Sequence, residues 1–139
     1  INIEKAMMNS EIGFGKRVLS VLEREKLCFE HLPSGIDTMS VVIDTKALED
    51  KKDDLIYSIK RETLADSVTF DDDLALIAIV GVGMRKTTGT AARVLKAIAE
   101  KNINIRMLDQ GSSELNIIVG VDAEYFEDAL QAIYSEFFD

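Results

Sequence analysis

Shifted by 76 residues, the chain falls on itself. Gly13 lands on Gly89, Arg17-Val18-Leu19 on Arg93-Val94-Leu95, and Gly35 on Gly111. Leu27, Phe29 and His31 meet Ile103, Ile105 and Met107, and "MSVVI" from Met39 meets "LNIIV" from Leu115. One offset serves about thirty positions without a gap, which chance matching of apolar residues rarely achieves. A chain of 139 residues suits one ordinary domain or two very small ones. The repeat decides for two copies of one unit, residues 5–72 and 73–139.

Each copy has the same order of elements. Phe14, Val18, Val21 and Leu22 recur at helical spacing, which predicts an amphipathic helix over about 13–25. "KLCFEHL" alternates as a strand does, with Leu27, Phe29 and His31 on one face. "PSGID" is a turn by composition, and "TMSVVID" returns as a strand rich in β-branched residues. A second helix is expected over about 45–61, and "DSVTF" closes the copy as a short strand. The second copy opens on "LALIAIVGV", a run apolar enough to be buried on both faces. It continues with a helix over 89–101, a hairpin over 103–121 and a last helix from Ala123. The unit is βαββαβ, so the fold class is α+β: two ferredoxin-like units, each an antiparallel sheet with helices on one face. The second copy lacks its closing strand, and an open sheet edge invites pairing. "INIE", residues 1–4, is the expected donor of that strand.

Composition narrows function mainly by exclusion. The chain is 47% hydrophobic and 29% charged, as soluble globular proteins are, and it has no apolar run long enough for a membrane span. A net charge of −9 argues against nucleic acid, whose phosphates need Lys and Arg to neutralise them. The single cysteine, Cys28, excludes an internal disulfide and supports no zinc site; a reducing cytoplasm suits it. "INIEKAMMNS" has neither an initiator Met nor a signal peptide's basic start, so a piece of a longer protein is expected.

Several stretches imitate catalytic motifs without meeting their requirements. "GVGMRKTTG", Gly81 to Gly89, holds glycines, a Lys and threonines before a helix, but its spacing does not match a phosphate loop. A strand-to-helix connection capped by Thr87 or Thr88 accounts for it. Around His31, the only histidine, the sequence shows no Ser–His–Asp pattern of the kind base catalysis with a nucleophile uses. Asp71-Asp72-Asp73 cannot converge on one metal ion in an extended segment, since alternate side chains diverge. The scattered methionines read as core filling. No catalytic or metal-binding residue is expected.

"SEIGFGKRV" is different. It joins the first strand to the first helix, where backbone N–H groups have no intrahelical acceptor. Glycines at Gly13 and Gly15 would let a carboxylate approach those amides, aided by the helix dipole. Glu30 on the neighbouring strand, or Asp37 in the turn beyond it, would balance an ammonium group. An anion end beside a cation end describes a free amino acid.

Two long stretches carry a resemblance. "MMNSEIGFGKRVLSVLEREKLCFEHLPSGIDTMSVVID" resembles the first ACT domain of bacterial aspartate kinases, and "LIAIVGVGMRKTTGTAARVLKAIAEKNINIRMLDQGSSELNIIVGVD" is similar to their second. "HLPSGID" looks closest to the lysine-sensitive, monofunctional type. The resemblance implies a regulatory region of an enzyme that phosphorylates L-aspartate with ATP. The catalytic amino-kinase domain, with its ATP and Mg, would lie N-terminal to the ACT pair, and the fragment itself would be neither an enzyme nor a cofactor binder. It further implies L-lysine or L-threonine as effector, a homodimer through the first ACT domains, and a strand ahead of the first ACT domain lying in the second domain's sheet.

Carried over by position, the resemblance implies effector contacts from Met8, Gly13, Phe14 and Gly15 in the loop and from Cys28, Phe29 and Glu30 in the strand. Glu30 replaces a more usual Asp. Glu11 stands where some lysine-binding members have Ser, and its carboxylate would repel the ligand's own unless it turned to the amine. Ser34 and Asp37 follow in a turn of variable length. "QGSSELN" serves contacts between ACT domains in this type. Two rivals differ in class. One is a stand-alone ACT sensor acting on another protein. The other is an acylphosphatase-like enzyme, for which Arg85 and Asn116 are the only loosely suitable pair.

Overall fold

The computed structural model describes residues 1–138 and divides into two compact units, Ile1–Asp72 and Asp73–Asp139. The first runs β1 (Asn2–Glu4), α1 (Phe14–Arg24), β2 (Thr38–Ser40), α2 (Lys52–Thr63) and β3 (Ser67–Thr69). Its antiparallel sheet has the order β2-β1-β3. Ile3 pairs with Met39 on one side and Val68 on the other, and all three are buried. Their neighbours Glu4, Thr38 and Thr69 are exposed, the period-two alternation of a sheet with one buried face. Val18, Val21 and Leu22 of α1 and Leu55 and Ile59 of α2 complete that core.

This pairing corrects the expected role of residues 1–4. They do not close the second unit's sheet; β1 is the first unit's own central strand. The repeat already places Ile3 opposite Ile79, inside the second copy's opening strand. The fully buried Ile3 side chain anchors the segment where it is.

The helix ends repeat as well. Beyond α1 the amide of Lys26 donates to Glu23 O (3.1 Å) and that of Leu27 to Leu22 O (2.9 Å), with Lys26 in the left-handed region at φ 56°. The second unit makes the same closure at Asn102 (φ 56°), with Ile103 N–H donating to Ile98 O. Such a turn satisfies carbonyls the helix leaves unpaired. The helix expected over 45–61 divides into a 3-10 turn, Thr45–Leu48, and α2. Asp44 separates the turn from the strand before it by accepting the Lys46 amide at 2.9 Å.

The strand expected from "KLCFEHL" does not form as a regular strand. His31 bridges Val42 and Ser34 bridges Met39, so the hairpin register holds, but Pro33 between them has no N–H to give. Leu27 is buried, whereas Phe29 is 45% exposed, so the expected common face breaks at Phe29.

The second unit runs β4 (Leu74–Val80), α3 (Thr90–Glu100), β5 (Met107–Asp109), β6 (Asn116–Asp122) and α4 (Phe126–Phe138). The sheet order is β4-β6-β5, antiparallel throughout. Ile117, Val119 and Val121 of β6 meet Val94 and Ile98 of α3 and Ala129 and Ile133 of α4 in its core. The helix expected from Ala123 begins as a 3-10 turn, Ala123–Tyr125, which leads into α4. β4 is buried on one face only, because Ala78 and Val80 are exposed. It lies at the sheet edge, and its apolar run overstates its burial.

The gapless offset also changes within the repeat. Ile3 pairs with Met39, while its counterpart Ile79 pairs with Ile117, which lies 78 rather than 76 residues after Met39. His31–Val42 and Met107–Gly120 show the same difference. The second hairpin therefore holds two extra residues before its returning strand.

Replacing Ile3 by Ala should destabilise the first unit by about 2–5 kcal/mol, as removal of a fully buried branched side chain does. Native-state hydrogen exchange should show lost protection in α1 and β2 with β6 unaffected. Loss confined to β6 would restore the alternative placement of this strand.

Candidate functional site

The loop from β1 to α1 is tied down along most of its length. Lys5 N–H donates to Asp37 O (2.9 Å) and Asn9 N–H to Ile36 O (3.0 Å). Ala6 N–H donates to Asp66 Oδ2 (2.8 Å) and Met7 N–H to Asp37 Oδ1 (2.7 Å). A 3-10 turn, Met8–Ser10, follows, with Met8 buried in the core. The chain then enters α1 through Gly13, whose φ of 79° is left-handed. That conformation favours glycine, and Gly89 repeats it at the head of α3 (φ 89°).

Past this turn the amides change character. Among the described residues, the N–H groups of Ile12, Gly13, Gly15 and Lys16 have no backbone or side-chain acceptor. They stand at the positive end of the α1 dipole, which suits a carboxylate. Gly15 has a different reason for being there than Gly13. Its φ is not left-handed, and a Cβ would meet only Met39 Cε at an ordinary 3.6 Å.

Around these amides stands a charged cluster. Glu11 pairs with Lys5 at 2.5 Å and with Arg17. Lys5 Nζ also donates to Thr63 O at the end of α2 (2.7 Å), and Arg17 donates to Ile12 O (3.3 Å). Both cations lie 5.8 Å from the centre of the Phe14 ring, which is itself buried. The hydrogen bond from Lys5, with the charges of Lys5 and Arg17, holds the Glu11 carboxyl below its ordinary 4.5, outweighing desolvation.

The other expected site residues divide by location. Met8 and Phe14 turn into the core and shape the loop from beneath. Glu11 turns to its two cations. Asp37 caps the loop through one carboxylate oxygen, and Ser34 is exposed at the hairpin bridge. Cys28 is an exposed free thiol. Phe29 lines an open groove on α1 with Lys16, Leu19, Ser20 and Glu23. Glu30 is exposed, and its backbone joins the hairpin by donating to Val42 O at 2.8 Å. Sequence reasoning missed Lys5 and Arg17. Arg17, four residues after the left-handed glycine and repeated as Arg93, was the available signal.

A family profile described as an ACT domain matches residues 77–137. Aspartokinase 3 of Bacillus subtilis is 43% identical over 99% of this chain and 31% of its own length. The crystal structure of Clostridium acetobutylicum aspartate kinase, an allosteric enzyme, superposes with TM-score 0.93 at 48% identity, over 98% of this chain and 31% of that one. Residues 77–137 form an ACT domain, and the chain is homologous to part of the aspartokinases. It spans about a third of the length of these relatives. Escherichia coli aspartokinase III, solved in complex with lysine and aspartate in its T-state, shares the fold with TM-score 0.76 at 22% identity, over 99% of this chain and 30% of that one.

Both units are α+β ferredoxin-like ACT units. Among the described residues no helix is long and apolar enough to cross a membrane.

Two measurements test this loop. Gly13→Ala forces a left-handed alanine and should cost about 1–2 kcal/mol, whereas Gly15→Ala should stabilise by about 0.4–1 kcal/mol by restricting the unfolded chain. Urea denaturation that ranks them in the opposite order refutes the assignment. For Glu11, the depressed folded pKa means that its contribution is complete above the unfolded value and disappears as pH falls through the folded one. NMR titration of its side-chain carboxyl should give a midpoint below 4.5, with protection of the loop amides lost over the same acid range. A midpoint at or above 4.5 contradicts the pairing.

Proposed function

We propose that this chain is the regulatory region of an aspartate kinase and that its first ACT unit senses an end-product amino acid, L-lysine before L-threonine. The supporting observation is the set of unpartnered amides at Ile12, Gly13, Gly15 and Lys16. They can take an α-carboxylate at the head of α1. The Glu30 carboxylate, on the hairpin that flanks α1, supplies an acceptor for an ammonium group. The lysine held by Escherichia coli aspartokinase III favours the same ligand.

In this reading the full protein phosphorylates L-aspartate with ATP and Mg in an N-terminal amino-kinase domain, and works in a cytoplasmic homodimer formed through the first ACT units. Lysine binding near that contact favours one of two quaternary arrangements. It changes activity only as far as its affinity for the two arrangements differs. The result is feedback control over entry to lysine, threonine and methionine synthesis.

A thermal-shift series across the twenty amino acids should show lysine raising Tm, since a ligand of the folded state stabilises by mass action. In calorimetry, Glu30→Ala should weaken lysine binding by about 1.5–3 kcal/mol, the usual worth of a charged hydrogen bond, without lowering Tm in the ligand-free chain. A chain whose Tm responds to no amino acid defeats the reading, and unchanged affinity in Glu30→Ala removes that residue from the site.

A further inference from the structure

The two copies treat one repeated arginine differently. Arg17 and Arg93 each stand four residues beyond a left-handed glycine, and the backbone N–H of each closes the helix start by donating to that glycine's carbonyl, at 3.1 Å and 3.0 Å. In the second unit Arg93 is neutralised from α4, by Glu136 at 2.6 Å, and stacks on Phe137. There the loop position matching Glu11 is Thr87, whose hydroxyl serves the loop itself by donating to Gly83 O at 2.6 Å. In the first unit the neutralising carboxylate comes from the loop, and it answers a second cation, Lys5, as well.

The place of that charge matters more than its presence. Arg17 Nη1 lies 3.7 Å from where a Cβ on Gly13 would stand and donates to Ile12 O. Its guanidinium is therefore beside the amides offered to the ligand. Without Glu11, the full positive charge of Arg17 and Lys5 would act there together with the helix dipole. This would favour a carboxylate but repel a ligand that carries a cationic side chain besides its α-ammonium.

We infer that Glu11 admits a cationic amino acid to the first unit's site by offsetting one of the two positive charges of Lys5 and Arg17, without touching the ligand. The inference rests on the amino-acid-sensing reading above and assigns Glu11 a positioning role that sets the charge of the site. Its depressed pKa keeps the carboxylate ionised across the neutral range.

Calorimetry with L-lysine on the wild-type chain, Glu11→Gln and Glu11→Asp, at low and high NaCl, tests it. At about 0.02 M salt Glu11→Gln should bind lysine about threefold or more weaker than wild type, whereas Glu11→Asp, which keeps the charge, should stay close to wild type. Toward about 1 M salt, where the screening length falls to about 3 Å, the deficit of Glu11→Gln should close. A deficit that persists at high salt, or one shared equally by Glu11→Asp, assigns Glu11 to loop shape and overturns the inference, as does an unchanged Glu11→Gln. A wild-type chain that binds no lysine at either salt instead defeats the sensing reading on which the inference rests.

Discussion

The first unit depends on a strand of three residues. β1 is paired on both sides, and only Ile3 within it faces the core, between Met39 and Val68. A fully buried isoleucine is worth on the order of 1.5–3 kcal/mol in apolar transfer alone. This one also sets register on both flanks, because a one-residue slip would turn Asn2 or Glu4 inward. Register then fixes where Lys5 leaves the sheet. Its backbone reaches Asp37 and its ammonium reaches both Thr63 and Glu11. The shape of the loop is therefore inherited from the sheet.

From that origin the loop divides into a rigid half and an open half. Through Glu11 nearly every amide is spent on the 36–37 turn, on Asp66 or on the loop's own 3-10 turn. Beyond it the chain turns through the left-handed Gly13, and the amides of Ile12, Gly13, Gly15 and Lys16 are left without acceptors. The hydrogen bonds of the first half supply the order that makes the second half specific, since unsatisfied amides on a wandering loop would be solvated and would select nothing. Met8 and Phe14 serve the same end from below, as buried side chains on either side of the turn.

The helices and the two-copy plan were legible because their signals are local or long. Helical periodicity marks Val18, Val21 and Leu22 within one element, and left-handed glycine recurs at Gly13 and Gly89. The two-residue change of register was not legible. Met39, Leu115 and Ile117 are all apolar, so matching cannot separate a core-facing Ile117 from an exposed Leu115. Pairing distinguishes them, and pairing is a long-range property. The irregular stretch between His31 and Ser34 was not legible for a related reason: alternation describes side chains, whereas the missing donor at Pro33 belongs to the backbone. In the site, the loop amides were legible from the glycines. The engagement of Glu11 was not, because its partners come from a strand end and a helix, at no fixed spacing.

Duplication of the unit shows which features belong to the fold and which to one copy. Both units keep the left-handed entry, the arginine four residues later and the closure at the helix end, which marks these as features of the connections into and out of the first helix of each unit. Other positions part company at the loop tips: Met7, Ile12 and Ile36 of the first unit correspond to Gly83, Thr88 and Ser112 of the second. The acidic residue paired with the arginine moves from loop to helix. A scaffold that must persist keeps its backbone chemistry, while the surface it presents is free to change. The contrast between Glu11 and Thr87 lies in a loop whose 3-10 turn sits at Met8–Ser10 in one copy and at Val82–Met84 in the other, ahead of a left-handed glycine that both keep. The distinct ligand chemistry proposed for the first unit therefore requires no departure from the common fold.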